Sequence, residues 1–318
     1  MNKEELNKKL TELEKNFGLT RSKDKEVKII KTGIYALDYV IDGIKLVEGG
    51  HKIEFYGKES SGKTTFAKKV VAEYQRQGKV CVWIVSESFH EGWAKKMGVD
   101  TDKLLKYYPK SVEDACDKIL EIIPHVDLVV VDSVASISTE AENEKSMSEK
   151  TRGAQANAYS QFCRKLYKVM AHETTTFICI NQIRIVMGKL YGNPEDTPCG
   201  KALKFMYDTR IEFRAGKPIK IKEKGKDISI GVETNLQGYK NKLGVAKRRA
   251  IVDFYYEDGK IDNKKSLFFG GLKYGVIELS GKTYSYGKKK AFGKDKFIAL
   301  LTDKDYEKIE EEVFKRMK

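Results

Sequence analysis

The chain has 318 residues, 60 of them basic and 46 acidic, and a formal net charge of +14. That length accommodates one large core with an appendage, or two domains. Regular apolar runs and only five prolines exclude a disordered chain. The longest apolar run, around Val126–Ile137, is broken by Asp127, Asp132 and Ser133, far short of a bilayer span. The opening MNKEELNKKL lacks the apolar core of a signal peptide. Cys81, Cys116, Cys163, Cys179 and Cys199 are odd in number and form no C-x-x-C pair, which predicts reduced thiols and a cytoplasmic location. His51, His90, His125 and His172 have no metal-motif spacing.

Taken in chain order, Leu6, Leu10, Leu13 and Phe17 predict a helix with one narrow apolar stripe, capped by Asn2 with Glu5 and stopped at Gly18. A polar linker follows, from Leu19 to Val27. From about residue 28 strands and helices alternate. Strands are predicted at His51–Tyr56, Val80–Val85, Asp127–Val131, Thr176–Ile180 and Ile211–Arg214, and helices at Thr64–Gln77, Val112–Ile123 and Ala154–Ala171. Short apolar strands separated by helices imply a parallel sheet covered on both faces. After about residue 262 the texture turns to Gly, Lys and Tyr, ending in a charged helix from Thr302, and a small α/β domain is expected there. The expected division is therefore 1–27, 28–261 and 262–318.

Gly57-Lys58-Glu59-Ser60-Ser61-Gly62-Lys63-Thr64 fits the phosphate-loop pattern between a strand and a helix. Its glycines let backbone N–H groups converge on phosphates, and the helix N-terminus adds positive potential. In that setting Lys63 would neutralise phosphate oxygens, Thr64 would hold Mg²⁺ and Thr65 would support the next phosphate. Asp132 ends an apolar strand about 70 residues later, where it can bind the magnesium shell. Glu87 follows the strand Val80–Val85, where a carboxylate could take a proton from attacking water, or be an ordinary surface residue. Gln182 follows the strand Thr176–Ile180 and could contact both a γ-phosphate and the next loop. Positive charge is clustered. Lys217–Arg249 holds ten basic and three acidic residues, a local +7, and Gly281–Lys318 holds eleven and seven, a local +4. Such clusters favour a polyanionic partner.

The segments GKESSGKTT (57–65), DLVVVDSVA (127–135), NQIR (181–184), GNPE (192–195), ALKF (202–205) and KNK (240–242) occur in an order and spacing that resembles the bacterial RecA-type DNA recombinases over nearly the whole chain. The resemblance implies an α/β RecA-like P-loop ATPase core with a central, mostly parallel sheet, an N-terminal helix and a small C-terminal α/β domain. It implies ATP and Mg²⁺ as cofactors, with Gly57, Glu59, Ser60, Ser61, Gly62, Lys63, Thr64, Thr65 and Asp132 around the nucleotide and Thr64 and Asp132 at the metal. Glu87 matches the carboxylate that activates water, and Gln182 matches the γ-phosphate sensor. Trp93 falls where the family stacks an aromatic ring on adenine. Lys240 and Lys242 match lysines that reach the nucleotide of a neighbouring subunit, with Lys204, Phe205 and Arg210 on the same interface. The N-terminal helix would dock on an adjacent subunit.

DNA-binding loops are expected at about 142–156 and 183–201, with Arg152, Arg164, Arg184, Ile185, Lys189, Tyr191, Gly200 and Lys201 as contacts. Val186 and Cys199 depart from the family's usual lysine and glycine. The implied function is ATP-dependent filament formation on single-stranded DNA, followed by pairing and strand exchange with homologous duplex DNA. A RecA-fold helicase and a nucleotide-gated single-strand-binding mediator are the alternatives.

Overall fold

The computed structural model describes residues 1–19, 21, 27–146, 153–185, 192, 194–223 and 225–317. The first helix spans Lys3–Phe17, and its capping box is formed as the sequence predicts. The side-chain oxygen of Asn2 accepts from the Glu5 amide at 2.8 Å, and the Asn2 amide donates to the Glu5 carboxylate at 2.9 Å. None of its residues is buried; Leu6 is 42% and Phe17 69% exposed. Arg21 folds back onto its polar side, donating to Thr11 and pairing with Glu14.

A nine-stranded sheet organises the described residues. Its order is Ile261–Asp262, Arg249–Tyr255, Lys226–Asn241, Thr209–Glu223, His51–Gly57, Thr176–Gln182, Leu128–Asp132, Cys81–Val85, Leu104–Tyr107. From Thr209–Glu223 onward neighbours run parallel, while the first three strands join antiparallel. The predicted parallel sheet therefore acquires an antiparallel edge. The predicted short strand at Ile211–Arg214 extends from Thr209 to Glu223, because a hairpin partner, Lys226–Asn241, carries it beyond the apolar stretch. Lysines alternating with isoleucines hide that extension from an apolar-run reading.

Both faces of the parallel part are covered, as continuous β-branched strands require. Alternate residues of one strand serve opposite layers. Trp83 and Val85 join Phe66, Val70 and Ile178 on one face. Val82 and Ile84 join Val129, Phe177 and the helices Val112–Ile122 and Ala154–Met170 on the other. The C-terminal segment forms the helix Lys264–Lys273, a three-stranded antiparallel sheet over residues 278–292, and the helices Lys294–Leu300 and Asp303–Met317. Leu267, Phe268, Phe297, Ile309 and Val313 bury themselves in the same cluster as the first face. Tyr35 of the helix Tyr35–Ile41 contacts Phe314 edge-on at 5.5 Å.

His51 is fully buried at the start of the central strand. Its Nδ1 accepts from the Lys45 amide at 3.1 Å, and its Nε2 lies 2.8 Å from the Thr209 hydroxyl. Burial pushes its pKa down from 6.5 to about 3. Below pH 6.5 the unfolded chain therefore gains a proton that the native chain refuses, so stability falls as pH falls through this window. Asp38, buried and pushed up to about 7, acts in the opposite direction over much the same range. The His51→Gln variant lacks the first effect. Its stability relative to wild type should rise by about 1.4 kcal/mol for each pH unit below 6.5. Urea denaturation of both proteins at neutral and acidic pH checks this; a constant difference between them would contradict it.

Candidate ATP site and adjoining loops

The central strand ends at Gly57 and the chain turns into a loop that opens the helix Lys63–Arg76. Gly57 is required by close approach: a Cβ there would lie 2.2 Å from the backbone oxygen of Phe213 on the neighbouring strand. Gly62 takes a φ of +92° at the helix N-cap, a conformation that side chains resist. The first amides of a helix have no intrahelical partner, and Gly62, Lys63, Thr64 and Thr65 at this N-terminus line the cleft. The Lys63 ammonium donates to the carbonyls of Gly57 and Lys58 at 3.1 and 2.7 Å, so it holds the loop's own backbone. Burial lowers its pKa, offset by Asp132, Glu87 and Glu59.

Asp132 sits at the end of its strand, opposite Val85 in the register. Burial first, then the Glu87 carboxylate, pushes its pKa up to about 6, with Thr64, Lys68 and Lys63 pulling the other way. Its Oδ1 is buried and has no hydrogen-bond partner among the described residues. An unpartnered carboxylate oxygen is costly unless a ligand completes it, and a hard divalent cation suits that oxygen together with the Thr64 hydroxyl.

Glu87 gathers the remaining polar groups. Its Oε1 accepts from the hydroxyls of Ser133 and Ser136 at 2.6 and 2.7 Å and from the Gln182 side-chain amide at 3.1 Å. Glu87, Lys63, Thr64, Asp132 and Gln182 thus line one cleft, together with Glu59, Ser60, Ser61, Gly62 and Thr65. Trp93 closes one side, its indole N–H 3.3 Å from the Thr65 hydroxyl and its ring edge-on to Phe254. Ser133, Ser136, Phe254 and Tyr256 escaped the sequence reading. Ser133 had a signal, since it directly follows Asp132; Phe254 and Tyr256, some 160 residues from Trp93, had none.

Lys240 and Lys242 lie elsewhere. Lys240 registers against Arg210, and Arg210 against Glu54, three residues before Gly57 and so about 10 Å back along the strand. Both ammonium groups donate to the Phe205 carbonyl, and Lys240 also to that of Lys204. Burial, then Lys242 and Arg210, push the Lys240 pKa down to about 8. Phe205 beside them is 73% exposed, whereas Arg210 is held inward, paired with the buried Glu54 and stacked over Tyr56 at 4.7 Å.

Parts of the two expected DNA loops fall among the described residues. The short helix Glu140–Asn143 overlaps the start of the first, and in the second Arg184–Ile185 pairs antiparallel with Glu195–Asp196. Arg184 and Ile185 are exposed. Gly200 and Lys201 start the helix Lys201–Met206, with Gly200 packed on Ala156, which brings the two loops together. Arg164 lies on the solvent side of its helix, donating to Ser160. Arg152, Lys189 and Tyr191 lie outside the described residues. Glu195, which the sequence reading did not single out, pairs with Lys58 of the phosphate loop at 3.0 Å and Arg214 at 2.6 Å.

A strand, a glycine-bearing loop, a helix N-terminus and an acidic strand end at the C-terminal edge of a parallel sheet define a P-loop ATPase of α/β type. The family model described as RecA N-terminal domain matches residues 4–261. Proteins named Protein RecA are similar along most of the chain: one from Thermus thermophilus is 37% identical over 307 residues, covering 93% of this chain and 88% of that protein. One from Francisella philomiragia is 38% identical over 323 residues, covering 98% and 88%, and one from Sulfurovum sp. is 38% identical over 320 residues, covering 97% and 90%. The chain belongs to the RecA family, and it is a DNA-dependent ATPase and recombinase. Among the described residues, no helix is long and apolar enough to cross a membrane.

Gly57→Ala should lower stability by about 1–3 kcal/mol, because the Phe213 backbone cannot yield like a side chain. Nucleotide binding should fall with it as the loop is displaced. Urea denaturation and titration with a fluorescent nucleotide check both; unchanged binding would show that the close contact is not needed to shape the loop.

Proposed function

We propose that the cleft at Lys63 binds ATP with Mg²⁺, that ATP assembles the subunits into a helical filament on single-stranded DNA, and that the filament exchanges strands with homologous duplex DNA in the cytoplasm. The observation that carries this reading is the convergence of Lys63, Asp132, Glu87 and Gln182 on one cleft, with the Asp132 Oδ1 buried and unpartnered. Magnesium bound by Thr64 and Asp132 would neutralise charge on the phosphate oxygens. Glu87, oriented by Ser133 and Ser136, accepts the proton of the attacking water. Gln182 shares that carboxylate and begins the segment leading to Arg184 and Ile185, so it links nucleotide to DNA. Trp93, Phe254 and Tyr256 offer ring surface to the base.

Assembly draws support from what the single chain leaves uncovered. The apolar stripe of the first helix is not buried, and Phe205 stands exposed beside two lysines too far back along the sheet to serve their own phosphate loop. Those lysines reach the neighbouring subunit's nucleotide. The same proposal divides the chain into an assembly helix and linker (1–27), an ATPase core (28–261) and a C-terminal domain (262–318). Arg164, Arg184, Ile185, Gly200 and Lys201 contact DNA.

Glu87→Gln should keep ATP and DNA binding while nearly abolishing hydrolysis, since shape is preserved and the proton acceptor is lost. Normal DNA-stimulated turnover in this variant would place the base elsewhere. Deleting residues 1–18 should leave thermal stability unchanged while shortening filaments, measured by circular dichroism and light scattering. Loss of folding on this deletion would show that the helix packs within its own chain.

Lys240 supplies a pH test. Phosphate favours its protonated form, so wild-type assembly should weaken as pH rises through about 8. Lys240→Arg keeps the charge and should flatten that dependence. Light scattering against pH measures both, and equal pH profiles would remove Lys240 from the interface.

A further inference from the structure

The helix that opens at the phosphate loop, Lys63–Arg76, carries Thr64 and, one turn further along the same face, Lys68. Lys68 is 3% exposed. Lysine is almost never buried so fully unless its charge is met. Among the described residues, however, no hydrogen bond or ion pair engages this ammonium. It lies over the rings of Phe89 at 4.7 Å and Trp83 at 5.9 Å, which meet edge-on at 5.4 Å. Aromatic faces attract a cation without neutralising it.

Strand register shows which acid it faces. Trp83 sits opposite Val130, and Val85 opposite Asp132. Trp83, Val85 and Val130 all pack with Phe66 and Val70 of this helix in one layer. Side chains alternate along a strand, so Asp132, two residues after Val130, projects toward the same layer. The other nearby acid is engaged: Glu91 pairs with Lys106, whose ammonium also lies over Phe89, at 5.2 Å. Asp132 remains, 5% exposed and with its Oδ1 unpartnered among the described residues. Burial lowers the Lys68 pKa, and the Asp132 carboxylate, ahead of Glu91, holds it up. Lys63 is less free to serve that acid, because it donates to the carbonyls of its own loop.

We propose that Lys68 is a positioning residue of the nucleotide site: a resident cation that supplies part of the charge a divalent metal brings to Asp132, and so sets how strongly nucleotide binding depends on magnesium. The role rests on the reading of the cleft as a site for ATP with Mg²⁺. An ammonium has three donors and no acceptor, so Lys68 cannot itself bind the metal. It acts on the metal through Asp132. A divalent ion arriving at that carboxylate meets a positive charge already in place, and little water lies between them to screen the repulsion. A nucleotide arriving without metal meets acids that are already partly neutralised. Both effects shrink the affinity that magnesium adds. The stem of Lys68 also fills space against Trp83 and Phe89, as long cationic side chains do, so a test must remove the charge and keep the stem.

Lys68→Met keeps the stem, Lys68→Gln keeps polarity, and Lys68→Arg keeps the charge. Binding of a fluorescent ADP analogue to each full-length protein is measured without DNA, once in EDTA and once in saturating magnesium, beside thermal melts. The quantity read is the gain in affinity on adding magnesium. That gain should be larger than wild type by about threefold to tenfold in both uncharged variants, and near wild type in Lys68→Arg. Equal gains in wild type and the uncharged variants overturn the proposal, as does a rise in Lys68→Arg as large as that in Lys68→Met. If Lys68→Met does not fold, Lys68→Gln carries the comparison; loss of folding in both makes Lys68 a structural cation and overturns the proposal. The magnesium reading fails separately, if neither wild type nor any variant binds the nucleotide more tightly with magnesium than in EDTA.

Discussion

The Glu54 carboxylate is fully buried in the middle of the sheet, and much of the site depends on how it is satisfied. One oxygen accepts from the Asn181 side chain at 2.9 Å and the other from the Arg210 guanidinium. Removing one partner from such a buried charge typically costs about 3–5 kcal/mol. This arrangement therefore pins the register of three adjacent strands. Each of those strands ends in a functional element: the phosphate loop after Gly57, Gln182 after Asn181, and the long hairpin beyond Arg210. A slip of one residue would turn every side chain of a strand to the other face and separate Lys63 from its carboxylates.

At the sheet's C-terminal edge the charges are arranged against their own solvation. Lys63 is lowered by burial and Asp132 is raised by it, and Glu87 stands close enough to Asp132 to raise it further. Nearby cations offset the acids only in part. The unpartnered Oδ1 of Asp132 marks where additional positive charge is wanted. Lys63, meanwhile, spends its hydrogen bonds on loop carbonyls, which holds the loop open for phosphate oxygens to replace them. Lys58 and Arg214 meet on Glu195, so the phosphate loop, the proposed second DNA loop and the root of the long hairpin share one carboxylate.

The surface features are consistent with a chain that is completed by association. A helix whose apolar stripe is at most half-buried, an exposed Phe205 next to Lys240 and Lys242, and a long hairpin whose far end pairs with no other strand among the described residues are each unfavourable in an isolated subunit. Apolar surface exposed in that way gains about 25 cal/mol for each Å² removed from water. Burial of the helix stripe against a second copy would thus drive assembly without costing the fold of the core.

The sequence by itself determined the local devices, because their physics acts over a few residues. Asn2 with Glu5 caps a helix, Gly57 through Thr65 turns a strand into a helix N-terminus, and apolar runs ending in Asp132 or Gln182 become buried parallel strands. What only the tertiary structure decided are contacts between residues distant in the chain. Ser133, Ser136 and Gln182 converge on Glu87, Phe254 meets Trp93, and Glu195 bridges Lys58 to Arg214. No periodicity encodes those meetings, since they follow from strand order and register. The long hairpin was hidden for a related reason: alternating lysine and isoleucine gives no buried face to detect, and its length emerges only when two segments pair beyond the sheet that starts them.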